Sequence, residues 1–144
     1  MNHHIAEFIS AQTVMTIATV DAGLPHCAMC FYVFMEDSNT IVFKSKPTTQ
    51  HVQQAKQNNQ VAGTILPDKL NPGKTSGIQF TGIFRETSDE LHDPASKAYY
   101  RKYPFAAVVP GEIWTIELTS VVFTDAMLGF GKKRTWERNV VVTA

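Results

Sequence analysis

Between Thr40 and Val61 the chain reads TIVFKSKPTTQHVQQAKQNNQV, and this stretch carries the clearest chemistry. Lys44, Ser45 and Lys46 end an apolar run, Pro47 turns the chain, and Thr48, Thr49, Gln50 and His51 open a short helix. The first N–H groups of a helix have no partner inside it and carry a partial positive charge. Hydroxyl, imidazole and ammonium groups around such a start make a natural anion seat, so the pattern predicts a grip on a ligand phosphate. It points to a cofactor and names no substrate.

Other chemical arrangements are weak. The hydroxyls are scattered, no Asp or Glu stands in an evident relation to a His and a Ser, and there is no Gly-x-Ser-x-Gly. Gly129–Lys133, GFGKK, lacks the long glycine spacing and terminal hydroxyl residue of a phosphate loop. Cys27 and Cys30 have C-x-x-C spacing, but HCAMCFYVF reads as a strand, where residues three apart face opposite ways. With no second pair to complete a zinc site, two reduced, buried thiols are expected. His26, His51 and His92 are too far apart to define a metal site, and His3 and His4 are expected in solvent.

These residues need a scaffold, and the composition bounds it. At 144 residues, 44% hydrophobic and 18% charged, the chain suits one soluble globular domain. Thirteen basic residues balance thirteen acidic ones, so no global field recruits nucleic acid or an anionic membrane. No apolar run approaches the roughly 20 residues of a membrane span, and no basic-then-apolar leader opens the chain, so the expected location is the cytoplasm.

An amphipathic helix over residues 3–13, capped by Asn2, carries Ile5, Phe8 and Ile9. Val14–Val20 reads as a strand, Asp21-Ala22-Gly23 as a tight link, and His26–Met35 as a strand apolar on both faces and so expected buried on both. Thr40–Ser45 and Val61–Leu66 are further strands, followed by a loop over Pro67–Gly77, long enough to cover a ligand or to be simply an expanded hairpin. Gly77–Thr87 is a strand with a bulge expected at Gly82. Asp93-Pro94 looks like a cap and first residue of a helix that buries Ala95, Ala98, Tyr99 and Tyr103 and stops at Pro104. Glu112–Asp125 is a long strand, and the tail holds Lys132 and Trp136. The expectation is a mainly β fold: a closed antiparallel barrel of six or seven strands with an N-terminal helix and two further short helices.

GLPH (Gly23–His26), IVFKSKPTTQHVQQAKQNNQV, IQFTG, KAYYRKYP and LGFGKKRTW, in that order and spacing, resemble the pyridoxamine-phosphate-oxidase-like FMN-binding split barrels. The likeness is greater to their small bacterial YhbP-like branch and covers nearly the whole chain. It implies a homodimer with FMN at the subunit interface. By position it implies flavin or phosphate contacts at Ser45, Thr49, Gln50 and His51, with Lys44 and Lys46 beside them and Ala28 and Cys30 on the preceding strand. Gln79 matches a polar position facing the flavin, and Lys132 and Trp136 resemble groups that a C-terminal region adds to the site, from the partner subunit in one version. Ala28 stands where the oxidases carry a phosphate-binding Arg, and Val33 where they carry a Lys for the substrate phosphate. Gln50 and His51 replace an Arg and a Lys. The resemblance therefore implies a lighter grip on FMN and argues against pyridoxamine phosphate oxidation.

The leading reading is an FMN-binding protein or FMN-dependent oxidoreductase for an unknown small molecule. A competing one is an oligonucleotide-binding barrel with Phe31, Tyr32 and Phe43 as base-stacking groups. A third keeps the split barrel but replaces FMN with haem, for which His26 or His92 would have to serve as ligand, with a deazaflavin, or with nothing.

Overall fold

The computed structural model describes residues 1–87, 89–129 and 132–139, apart from the side chains of residues 89–93. Strands β1 (Val14–Asp21) and β2 (Leu24–Met35) form a hairpin. Its link is the two-residue turn Ala22-Gly23, one residue shorter than expected, with φ of 50° and 77° as a type I′ turn requires. Beyond it come β3 (Thr40–Ser45), β4 (Gln60–Ile65), β5 (Gly77–Glu86), β6 (Glu112–Thr124) and β7 (Lys133–Glu137). The sheet runs β3-β2-β1-β4-β5-β6-β7, and an extra β3–β6 pairing closes six strands into an antiparallel barrel.

Closure depends on β6 changing partners. Its first half, Glu112–Glu117, pairs with β3, and Ser120–Thr124 pairs with β7. Between the two halves Thr81 faces Ser120 while Gly82 faces Leu118, so Thr119 is the extra residue of a bulge. The bulge expected at Gly82 is present because that position admits no side chain: a Cβ there would lie 2.5 Å from Ile116 Cγ2 and 2.8 Å from the Glu117 carbonyl oxygen.

Each barrel end is closed by a helix. Helix α1 (His3–Ala11) is capped by Asn2, which accepts the His4 N–H at 2.8 Å, and it buries Ile5, Ala6 and Ile9. Helix α2 (Gln50–Gln57) plugs the other end with Val52 and Ala55, nearly its only apolar side chains, both fully buried. Helix α3 (Asp89–Lys102) lies outside β2 and β3 over a second core of Val42, Ala95, Tyr99, Tyr103, Ala106 and Ile113. It starts ahead of the expected Asp93 cap, with Pro94 inside it. A proline this near a helix start forfeits one N–H bond, a loss that a docked helix tolerates. No described helix is long and apolar enough to cross a membrane.

Strand β2 corrects the expectation of burial on both faces. Cys30, Tyr32 and Phe34 point into the barrel, whereas Leu24, Cys27, Met29 and Phe31 are exposed, Met29 at 82%. Only Cys30 is thus a buried thiol. Helix α3 packs on Val33 and Met35, and the Tyr103 ring lies 5.6 Å from that of Phe31, which leaves Cys27 and Met29 the open part of the outer face. The loop over 66–76 is placed differently as well. The Asp68 carboxylate accepts the Thr13 N–H at 2.8 Å and the Thr13 hydroxyl at 2.5 Å, fixing the loop at the α1 end. Helix α2 instead meets Thr19, whose hydroxyl donates to Gln54 Oε1 at 2.8 Å. Thr13 and Thr19 are about 20 Å apart at strand rise, so the loop does not cover the α2 start of its own chain.

Candidate functional site

The site grows from the end of β3. Ser45 is its last paired residue, opposite Glu112, and its carbonyl accepts the Trp114 indole N–H at 2.8 Å. The chain then turns over Lys46–Thr49, where both the N–H and the hydroxyl of Thr49 donate to the Lys46 carbonyl, at 3.1 and 2.9 Å. Gln53 Nε2 donates to the Pro47 carbonyl at 2.5 Å and fastens the turn to α2. Thr49 occupies the cap position, but its hydroxyl makes no capping bond. The leading N–H groups of α2, from Gln50 to Val52, are therefore left without the usual cap acceptor.

His51 folds back into this corner and is almost fully buried. Its Nε2 lies 2.8 Å from Ser45 Oγ, 3.5 Å from Thr49 Oγ1 and 3.8 Å from Cys30 Sγ. Burial, with His26 nearby, holds the imidazole below its ordinary pKa, so it is neutral near pH 7. Burial pushes the Cys30 thiol up, with only partial relief from the Ser45 hydroxyl, so it is a thiol rather than a thiolate. The corner is a neutral donor cluster, not a nucleophile with its base. No group of three or more His, Cys, Asp or Glu among the described residues is arranged to hold a metal ion.

Of the residues named from the sequence, Cys30, Ser45, Thr49 and His51 meet here, with exposed Lys46 and Gln50 at the rim. Ala28 lies further along the inner face of β2 and packs against the core. Lys44 does not join them. Adjacent strand residues face opposite ways, and its ammonium donates to the Ala106 carbonyl at 2.8 Å while lying 4.9 Å over the Tyr100 ring.

Gln79, Lys132 and Trp136 lie elsewhere. Gln79 is exposed on β5 opposite Thr64 and Val122, and Lys132 is exposed just before β7. Trp136, half-buried against the core, stands opposite Val121, whereas Ser45 stands opposite Glu112. Those two positions on β6 are roughly 30 Å apart at about 3.3 Å per residue. Trp136 therefore does not join the Ser45 corner of its own chain.

A second feature borders the corner. Strand β2 pairs with β3 only from Tyr32 to Met35, so among the described residues the stretch from Leu24 to Phe31 has no neighbour on that side. From this stretch the Cys30 side chain reaches Ser45 and His51. A cleft of about 540 Å³ lies nearby, lined by Lys56, Glu86, Tyr100, Glu112 and Trp114. Two of the three base-stacking candidates, Tyr32 and Phe43, are fully buried, which removes the oligonucleotide platform. The His92 side chain lies outside the described residues. Sequence reasoning did not single out Trp114; its only signal was a polar N–H at an otherwise apolar strand position.

The family described as pyridoxamine 5'-phosphate oxidase matches residues 1–124. The chain is 34% identical over 135 residues to the UPF0306 protein YhbP of Salmonella schwarzengrund, covering 94% of this chain and 92% of that one. It is equally identical over 137 residues to a UPF0306 protein of Citrobacter koseri, covering 95% and 94%. Among solved structures, a heme binding protein from Mycobacterium smegmatis superposes with a TM-score of 0.75 at 17% identity, covering 92% of this chain but only 56% of its own. A FAD-binding protein from Mesorhizobium loti gives 0.69 at 15% identity over 84% and 91%. HutZ, the heme storage protein of Vibrio cholerae, gives 0.65 at 15% over 81% and 89%. At such identities these structures speak for the fold alone. The family match and the curated relatives go further: this chain belongs to the pyridoxamine 5'-phosphate oxidase family, in its UPF0306 YhbP branch.

Proposed function

We propose that the protein binds FMN as a homodimer of split barrels and serves as a flavin-dependent oxidoreductase for a small molecule. The observation that carries the reading is the convergence of the Ser45 and Thr49 hydroxyls and the His51 imidazole on the uncapped start of α2. A phosphate monoester there would accept from the α2 N–H groups, the Ser45 hydroxyl and the imidazole, and from Thr49 once its hydroxyl turns from the Lys46 carbonyl. Lys46 at the rim adds a positive charge. The residues fit the phosphate. The free edge of β2 supports a planar ring beside it, because main-chain N–H and C=O groups match the polar edge of a flavin.

When bound, FMN would supply the electron transfer, and the chain's own residues would bind, orient and shield it. This agrees with the lack of an acid–base set at the corner. Val33 faces outward beneath α3 and packs with the second core, which argues against a substrate-phosphate site there and against pyridoxamine phosphate oxidation. The exposed Met29, Phe31, Val14 and Leu66 form an apolar face suited to a second copy. A partner subunit would bring its own Gln79, Lys132 and Trp136 positions toward the flavin.

The test is a spectrum and a melting curve. Protein purified with FMN should carry the flavin absorption bands, and FMN should raise its melting temperature more than riboflavin, which lacks the phosphate. A colourless protein whose melting is unmoved by FMN overturns the reading. Two structural neighbours are a heme binding and a heme storage protein, and His26 is half-buried on the inner face of β2. A shifted haem absorption band with no flavin response would select that alternative.

A further inference from the structure

We propose that Trp114 is the positioning residue of the anion seat, an inference that rests on assigning that seat to a phosphate. The Ser45–Lys46 peptide is where β3 leaves the sheet. Its orientation decides where the Ser45 hydroxyl points and where the Lys46 carbonyl stands, and Thr49 closes twice on that carbonyl. The Trp114 indole N–H takes hold of this peptide at 2.8 Å, reaching from the neighbouring strand.

The indole can set a direction because it is itself fixed. It is 3% exposed and stacked on Phe84 with ring centroids 5.4 Å apart, and the Lys56 ammonium lies 5.2 Å from its centroid. Lys56 belongs to the last turn of α2 and pairs with Glu86 of β5 at 3.3 Å. One side chain thus touches the segment before α2 through Ser45 and the end of α2 through Lys56. Packing alone would be met by phenylalanine, which brings no polar atom into the core. A buried indole N–H is costly unless partnered, and this one is partnered at the hinge of the seat.

The decisive variant is Trp114→Phe, which keeps an aromatic ring on Phe84 and removes the donor. The readout is the ratio of FMN to riboflavin affinity, measured by flavin fluorescence. That ratio isolates the phosphate contact and is unmoved by a general loss of stability. Loss of one neutral hydrogen bond that orients the seat should lower the ratio about three- to tenfold. Lys44→Met, which keeps the indole N–H and lies on the other face of β3, should leave the ratio within about twofold.

An unchanged ratio in Trp114→Phe overturns the inference while leaving the phosphate seat standing. A wild-type protein that does not distinguish FMN from riboflavin overturns both. Should Trp114→Phe fail to fold, the wild-type indole N–H resonances decide, the two tryptophans being told apart with Trp136→Phe. The Trp114 signal should shift on FMN addition and saturate with binding, and a signal that stays in place at saturation overturns the inference.

Discussion

Changing His51 to glutamine tests the seat through its proton. In the empty protein the imidazole is neutral near pH 7, held below its ordinary pKa by burial and by His26. A phosphate dianion accepted beside Nε2 favours the imidazolium, so binding should take up a proton. Wild-type affinity for FMN should then rise as pH falls from 8 toward 6.5, by up to about one log unit per pH unit. It should level off near pH 6, where the phosphate dianion itself takes up a proton. The glutamine side chain approximates the volume and can still bond Ser45 Oγ, which is 2.8 Å from Nε2 in the wild type, but it does not titrate. FMN affinity in His51→Gln should be flat with pH and about tenfold weaker near pH 6.5, the low end of a charge-assisted bond of about 1.5–3 kcal/mol. Alanine is the poorer probe, since it would empty a buried site against Phe43 and leave Ser45 without its partner. Without ligand the same proton acts oppositely. The folded pKa lies below the unfolded one, so stability is complete above about pH 6.5 and is lost as pH falls from there, an effect absent in the variant. Fluorescence titrations and urea melts from pH 6 to 8 measure both. A wild-type FMN affinity independent of pH and equal to that of His51→Gln would remove the imidazole from the phosphate contact.

The two lysines at the end of β3 should separate cleanly. Lys46→Met should weaken FMN several-fold and flatten its salt dependence, while Lys44→Met should leave FMN affinity alone and cost about 1 kcal/mol in urea denaturation through its lost bond to Ala106. On the outer face, Met29→Glu should convert a dimer to monomers in sedimentation and abolish FMN binding with it, because it places a charge at the most exposed methionine of β2. In the barrel wall, Gly63→Ala would put a Cβ 2.2 Å from Phe80 Cζ and 2.4 Å from the Thr16 carbonyl oxygen. The backbone atom cannot step aside, so a destabilisation of about 1–3 kcal/mol is expected in urea melts, and near-neutral behaviour would mean the strands can part there.

The β3–turn–α2 unit was legible because its punctuation is local. An apolar run ends in Lys-Ser-Lys, a proline turns it, and Thr49 starts a helix whose only apolar residues are Val52 and Ala55. The same local rule could have excluded Lys44, since a strand cannot aim it and Ser45 the same way. What was illegible is long-range. The ladder pairing Ser45 with Glu112 closes the barrel across a separation that leaves no mark in either segment. The inward fold of His51 onto Cys30 and the Trp114 bond to Ser45 both depend on it. Strand β2 misled for a different reason. Burial leaves an alternating pattern only where the outward face is wetted, and Met29 and Phe31 are as apolar as the inward Tyr32 and Phe34.

That apparent failure is itself informative about the site. An outward face as apolar as the core, exposed on β2, is what a strand shows when its second covering comes from another molecule. It lies along the free edge that borders His51 and Ser45, and it shares β2 with both Cys30 and Ala28. Ser45 of the phosphate seat and Trp136 of the expected flavin clasp stand opposite β6 positions separated by up to about 30 Å of strand. On the proposed reading, a site divided this way would be completed by a second copy meeting the first across β2. On this account, subunit association and cofactor affinity should fall together in every variant of that face, including ones that touch no residue of the phosphate seat.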